Sequence, residues 1–347
     1  MSRIFIASTG EHAGLTLVIW AMIRRLLEKK CRVGFFKPFG TGSLQENGKG
    51  MDPDAILFKE ILKIEEPVEM ICPYAVTGDI KIQDNQAQVL NKIKDLLSTF
   101  STGKDILLIA GSQDIFSDSA SGTLKDMALI REINSDIILV HRFQKIPSSI
   151  YSILSIHSLL KEKLKGVVIN RVSSDHLENV KDKIIPLLQQ RGILNVTVLP
   201  EDPFLSTGSI KKIVDILGAK IICGQEYLDR PVNTLSVGAS HISAGLSILK
   251  RIYNKIILIK SSYGTPEIAG IILTENREPP DRVLEIARQH KIPLLSVKNS
   301  IFDTWDLLEK TLSRLSSGDE YKAIHFMEMM DHNNFLNNLI RSLGIVF

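Results

Sequence analysis

Residues 6–16 read Ile-Ala-Ser-Thr-Gly-Glu-His-Ala-Gly-Leu-Thr, a glycine-bearing stretch between a β-branched run and a helix-period segment. A loop in that place turns backbone N–H groups, and the N-terminus of the following helix, toward an anion. Against the spacing G-x-x-x-x-G-K-[ST], Gly14 takes the second glycine, Thr9 stands at the first and Gly10 follows it. Thr16 matches the hydroxyl that ligates Mg²⁺, and Leu15 falls where the lysine belongs. That lysine holds a positive charge against the terminal phosphates, and phosphoryl transfer rests on positioning and charge stabilisation. Losing such a contact lowers a rate by about 10²–10³, by comparison with oxyanion donors. Two readings follow: a backbone nest that still holds an anion, or a strand-to-helix turn with no ligand.

Other chemistry-bearing residues are sparse. His12 lies in the loop, where a solvated side chain is the simpler reading. Ser112, Gln113, Asp114, Ser117, Asp118 and Ser119 form a polar loop after a strand end, where ligands of α/β sheets often bind. His241, His290, His325 and His332 show no ligand spacing with cysteine or with each other. Asp202 before Pro203 reads as a turn, and Asp229-Arg230 as an ion pair. No Gly-x-Ser-x-Gly and no Cys–His pair suggests a nucleophile.

The elements that must position these residues alternate. Ile4–Ala7, Val33–Phe36, Ile106–Ile109, Ile137–Val140, Gly166–Ile169 and Val196–Leu199 read as buried strands of a parallel sheet. Amphipathic segments such as Leu15–Lys30, Asn85–Leu97, Ser148–Lys163 and Leu177–Gln190 lie between them. This alternation predicts an α/β fold, a doubly wound parallel sheet over residues 1–216. A second, smaller α/β domain is expected over 217–317, from Lys220–Cys223, Ser243–Arg251, Ile256–Ile259, Gly270–Leu273, Arg282–His290, Leu294–Val297 and Ile301–Leu312. A helical tail, 318–347, carries Phe326, Met329, Met330, Phe335, Leu336 and Leu339 over a helix expected from Tyr321 to Leu343. It reads as a docking helix for one of the two domains, with a partner-binding or dimer helix as the alternative.

Bulk properties narrow the function classes. The 347 residues are 44% hydrophobic and 23% charged, with a formal net charge of +3. That is globular composition, and basic residues alternate with acidic ones, so neither a nucleic acid nor an anionic membrane is an expected partner. Leu15–Ile23 is about half the length needed to span a bilayer. The cysteines, Cys31, Cys72 and Cys223, match no metal or redox spacing and read as reduced thiols, which places the chain in the cytoplasm.

The motifs together resemble a known family. Ser8-Thr9-Gly10 with Gly14-Leu15-Thr16, then Gly34-Phe35-Phe36-Lys37-Pro38, resembles the N-terminal region of long-form phosphate acetyltransferases, itself similar to dethiobiotin synthetase. Cys72-Pro73-Tyr74-Ala75, Ile109-Ala110-Gly111-Ser112, Gly166–Arg171 and Leu199-Pro200-Glu201-Asp202 follow in order. Ile222–Arg230 with Val237-Gly238-Ala239 resembles the start of a DRTGG domain, so the similarity runs to about residue 315. The resemblance implies a P-loop NTPase-like domain, ATP or ADP with Mg²⁺ or another small anionic metabolite as ligand, and a homodimer. It makes Thr9, Gly10, Gly14, Thr16 and Asn170 nucleotide-binding positions, Asn170 at the adenine edge. It makes Thr16 and Asp54 Mg²⁺ ligands, and Lys37 the catalytic residue if the site is active. The third acidic ligand falls at Ala110, and the DRTGG signature reads Lys260-Ser261-Ser262-Tyr263-Gly264-Thr265. The family's acetyl-transfer domain has no counterpart in this sequence. The expectation is therefore a non-catalytic ligand-sensing or regulatory protein. The alternatives are an ATP-dependent synthetase resembling dethiobiotin synthetase or cobyrinic acid a,c-diamide synthase, and a structural subunit that uses its tail.

Overall fold

The computed structural model describes residues 2–41, 44–46, 49–75, 85–112, 115, 126–237, 255–262, 265–312 and 314–344. Gln113, Asp114, Ser117, Asp118, Ser119, Gly238, Ala239, Ser243–Arg251, Tyr263 and Gly264 lie outside the described residues. The chain divides into two compact units, Met1–Glu201 with Leu315–Phe347, and Asp202–Arg314.

In the first unit six strands form one sheet: β1 (Ser2–Ser8), β2 (Val33–Phe36), β3 (Ile106–Ala110), β4 (Asp136–Arg142), β5 (Leu164–Val172) and β6 (Val196–Pro200). Their order is β6-β5-β4-β1-β3-β2 and every pairing is parallel. Ile4, Phe5, Ile6 and Ala7 are fully buried, as expected of a central strand covered on both faces. Helices α1 (Leu15–Glu28), α2 (Pro53–Leu62), α3 (Gln86–Ser101), α4 (Asp126–Glu132), α5 (Ile146–Leu160) and α6 (Ser174–Gln190) run between the strands. The chain leaves β1 for β2 on one side and later builds β4, β5 and β6 on the other. The glycine loop therefore leaves the sheet at a topological switch point, the usual ligand position in such folds.

The second unit begins at Asp202 and includes α7 (Ile210–Leu217), most of which the boundary expected after residue 216 leaves in the first domain. Ile210 and Ile213 lie in the second unit's core instead, because they form one apolar stripe facing its sheet. Strands β7 (Lys220–Cys223), β8 (Thr234–Val237), β9 (Lys255–Ser262), β10 (Thr265–Leu273) and β11 (Leu294–Ser296) are ordered β7-β11-β10-β9-β8. Only β10 and β11 pair in parallel. Alternate residues of β9 serve two cores: Ile256 and Leu258 with α7 and α9 (Ile301–Thr311), Ile257 and Ile259 with α8 (Asp281–Gln289). Of the Lys260–Thr265 stretch, Lys260–Ser262 end β9 and Thr265 opens β10, with Ser262 opposite Thr265. Asp229 and Arg230 do not form the expected ion pair. The short 3₁₀ turn at Gln225–Tyr227 sets the Arg230 guanidinium over the Tyr227 ring, 4.4 Å from its centroid.

The tail folds with the first unit, and not as one helix. It makes α10 (Glu320–Met330) and α11 (Phe335–Ser342), separated at Asn334, whose left-handed φ of 56° cannot continue a helix. Phe326, Met330, Phe335, Leu336, Leu339 and Ile340 are buried. Helix α10 lies against α1, fastened by Arg24–Glu320 and by Arg25 Nη2 at 2.5 Å from Asp331 Oδ2. Helix α11 lies on β5, where Gly166 leaves room for Leu339. No described helix is long and apolar enough to cross a membrane.

Candidate functional site

The glycine loop is held from several directions. Thr9 N donates to the Val140 carbonyl at 3.1 Å, and Ile115 N to the Ser8 carbonyl at 2.7 Å. The Ser8 hydroxyl donates to the Gly10 carbonyl at 2.7 Å. Gly14 has a left-handed φ of 96°, and a Cβ there would lie 2.4 Å from Asn170 Nδ2, so glycine is required twice over. Helix α1 then starts with no side-chain cap and no acid in its first turn. Its first N–H groups and positive dipole end are left for an anion.

Asn170, at the end of β5, is 4% exposed. Its Nδ2 donates to the Ala13 carbonyl at 2.8 Å, and its Oδ1 accepts from Arg171 N at 2.9 Å. Both ends of the amide thus fasten the loop to the sheet. His141, on β4, does similar work: its Nδ1 is 2.8 Å from the Thr9 hydroxyl. Burial pushes its pKa down to about 4, so the ring is neutral at pH 7. His12 is exposed, with a left-handed φ of 57°.

Under the start of α1 four side chains converge. Lys37, just past β2, is 6% exposed; its Nζ lies 2.7 Å from Asp54 Oδ2 and 2.9 Å from Asp52 Oδ2. Asp54 Oδ1 accepts from the Thr16 hydroxyl at 2.9 Å. Asp52 is the N-cap of α2: its Oδ1 accepts from Asp54 N at 2.9 Å and Ala55 N at 3.2 Å, its Oδ2 from Thr41 N at 3.0 Å. Burial alone would lower the Lys37 pKa, but the charges of Asp54 and Asp52 outweigh it and raise the pKa above an ordinary lysine's. Burial, then the Asp52 charge, pushes the neighbouring Cys72 thiol up, which keeps it unreactive. Gly40 permits this crowding, since a Cβ there would sit 2.6 Å from both the Asp52 carboxylate and Cys72 Sγ.

Thr16, Lys37 and Asp54, predicted as site residues, are thus in direct contact; Thr9, Gly10 and Gly14 line the loop above. Of the positions that the resemblance makes Mg²⁺ ligands, Thr16 and Asp54 touch each other, and Asp54 is shared with Lys37. Both oxygens of Asp54 are engaged, one by Thr16 and one by the Lys37 ammonium, and Asp52 is committed to Lys37 and the α2 cap. Ala110, buried at the end of β3, offers no donor. No group of three or more His, Cys, Asp or Glu that could hold a metal exists among the described residues. Ser112 is tied to Asp126 Oδ2 through its N–H, 2.7 Å, and its hydroxyl, 3.0 Å. Sequence reasoning missed Asp52, although an aspartate before Pro53 is a recognisable helix-start signal. It also missed His141, which no motif marks. The three cysteines are unpaired.

A six-stranded parallel sheet whose first strand ends in this loop and runs into α1 defines a P-loop NTPase-like protein. The chain belongs to the AAA domain family, whose model matches residues 2–209, and a DRTGG domain matches residues 212–311. This is the pairing that the resemblance to the N-terminal region of long-form phosphate acetyltransferase implies. The phosphate acetyltransferase of Synechocystis sp. is 25% identical over 373 residues, covering 99% of this chain and 53% of that protein. The ATP-dependent dethiobiotin synthetase BioD of Ruthia magnifica is 23% identical over 221 residues, covering 62% of this chain and all of that protein. The chain spans about half the length of the phosphate acetyltransferases it matches. Among solved structures, the MinD cell division protein of Aquifex aeolicus aligns with a TM-score of 0.35 at 15% identity, over 59% of this chain and 84% of that one.

Proposed function

We propose that this chain senses a small anionic ligand, a nucleotide or a metabolite, and does not turn it over. One observation carries the reading: among the described residues, the lysine expected within the loop is missing and the lysine beneath it is already engaged. Leu15 replaces the lysine, and Lys37, which could have compensated, is buried between two carboxylates that match its charge. An ammonium whose charge is already spent locally adds little stabilisation to a developing phosphate charge. The relation to phosphate acetyltransferases supports regulation of acetyl-phosphate metabolism, in cis or through a partner enzyme, and the same resemblance supports a homodimer. Calorimetry with ATP, ADP, acetyl phosphate and acetyl-CoA, with and without Mg²⁺, should give binding that does not depend on the metal, with no product formed. Sustained Mg²⁺-dependent ATP hydrolysis would overturn this reading.

The convergence of Thr16, Lys37 and Asp54 favours a second reading, an ATP-dependent synthetase like the dethiobiotin synthetases. Under it, Lys37→Ala abolishes turnover and Leu15→Lys raises it. Turnover that responds to neither change removes this alternative.

A further inference from the structure

Although Leu15 withholds a cation, two others stand at the rim of the same loop. Arg142 ends β4 and Arg171 lies near the end of β5; these strands are neighbours, with Arg142 opposite Asn170 in register. Phe143 N donates to the Asn170 carbonyl at 2.9 Å, which holds the two strand ends together. Arg142 Nη1 reaches the Glu11 carbonyl of the loop at 3.5 Å. Both arginines thus stand on the carboxyl edge of the sheet, where the loop and the start of α1 also lie.

Four features of this rim bear on a ligand. Neither guanidinium makes an ion pair within 4 Å among the described residues, and Arg171 feels only the more distant Glu201 carboxylate. Burial first, and then the Arg142 charge, lowers the Arg171 pKa, with Glu201 opposing, as when like charges are held close. Arg171 also holds a left-handed φ of 58°, a strained backbone for a residue with a Cβ and one that collects at functional sites. Next to Arg142, His141 is 3% exposed, and its buried Nε2 has no hydrogen-bond partner.

We propose that Arg142 and Arg171 form an oxyanion clamp that takes one anionic group of a small ligand whose other anionic group rests on the glycine loop and the start of α1. Guanidinium forks match the paired oxygens of phosphate and carboxylate alike. Asn170 spends one donor on the Ala13 carbonyl and one acceptor site on Arg171 N, so what the two arginines add to this rim is charge. The clamp deepens the sensing reading above and rests on it.

The test is calorimetric titration of the full chain with pyrophosphate, malonate, ATP and adenosine, repeated on Arg142→Gln, Arg171→Gln and the double Arg→Lys variant. Pyrophosphate or malonate should bind, and adenosine should not; the tighter of the two anions assigns the ligand to the phosphoryl or the dicarboxylate class. Each Gln variant should weaken anion binding about tenfold, with the Lys variant intermediate, since it keeps charge and loses the fork. Arg171→Gly removes the guanidinium and relieves the left-handed strain, so it should melt no lower than wild type while binding as weakly as Arg171→Gln. Gln variants that bind within about twofold of wild type would overturn the clamp and leave the sensing reading intact. So would adenosine binding as tight as ATP binding. Wild-type protein that binds none of the anions would overturn both.

Discussion

Replacing Lys37 by methionine separates a structural ion pair from a reactive group. The substitution keeps the aliphatic stem and removes the ammonium, leaving Asp52, with a fully buried side chain, and Asp54, 18% exposed, without their cation. Removing one partner of a buried pair strands the other's charge, at a cost of about 3–5 kcal/mol. Each kcal/mol is worth about 2–4 °C in a unit of this size, so melting should fall by about 6–20 °C. Urea denaturation and thermal melting of the full chain measure this directly. Asp54→Asn added to Lys37→Met should cost at least about 1 kcal/mol less than the two single losses together, because the stranded charge goes with it. A Lys37→Met protein that melts within about 2 °C of wild type would refute the argument that the pair is buried and structural. Unchanged melting with abolished ATP turnover would instead mark Lys37 as the reactive group of the synthetase reading.

Gly14→Ala forces a Cβ to within 2.4 Å of Asn170 Nδ2 at a left-handed φ, so it should displace the amide, lower stability by at least about 1–2 kcal/mol and weaken anion binding, as melting and calorimetry would show. His141 bears on pH dependence: its folded pKa of about 4 lies below the ordinary 6.5, so the unfolded chain binds the extra proton. Stability is therefore unaffected above about pH 6.5 and falls by about 3 kcal/mol as the pH drops toward 4; His141→Asn should remove that share of the slope in pH-dependent urea titrations. Deleting residues 319–347 strips Phe326, Met330, Leu336, Leu339 and Ile340 from the first unit's core. At about 1.5–3 kcal/mol each the loss is as large as the whole margin of most domains, so melting should fall steeply or cooperative unfolding disappear; a truncated chain that melts like wild type would restore the partner-helix reading of the tail.

Much of the first unit was legible because its signals are local. A strand buried on both faces needs a β-branched run, as in Ile4–Ala7 and Ile106–Ile109, and an amphipathic helix shows its period within a few turns. Leu15 likewise announces a missing lysine by its place in the loop spacing, whereas Ala110 stands for a missing acid only through the family resemblance. The tail was half legible: its apolar positions were read correctly, but a continuous pattern gives no sign that Asn334 turns left-handed and splits the helix. The boundary expected after residue 216 differs from the start of the second unit at Asp202 for a related reason. Periodicity reports that a helix has an apolar face and says nothing of which sheet it covers.

From residue order alone came the alternation of strands and helices, the place of the glycine loop and the missing lysine, since each depends on neighbours close in sequence. Only the folded chain decided what the remaining polar groups do. Lys37 is matched by Asp52 and Asp54, Asn170 closes on the loop backbone, and Arg142 and Arg171 share a rim, because the ends of strands far apart in sequence converge there. Charge pairing depends on separation in space and on exclusion of water, and neither is written in the order of residues.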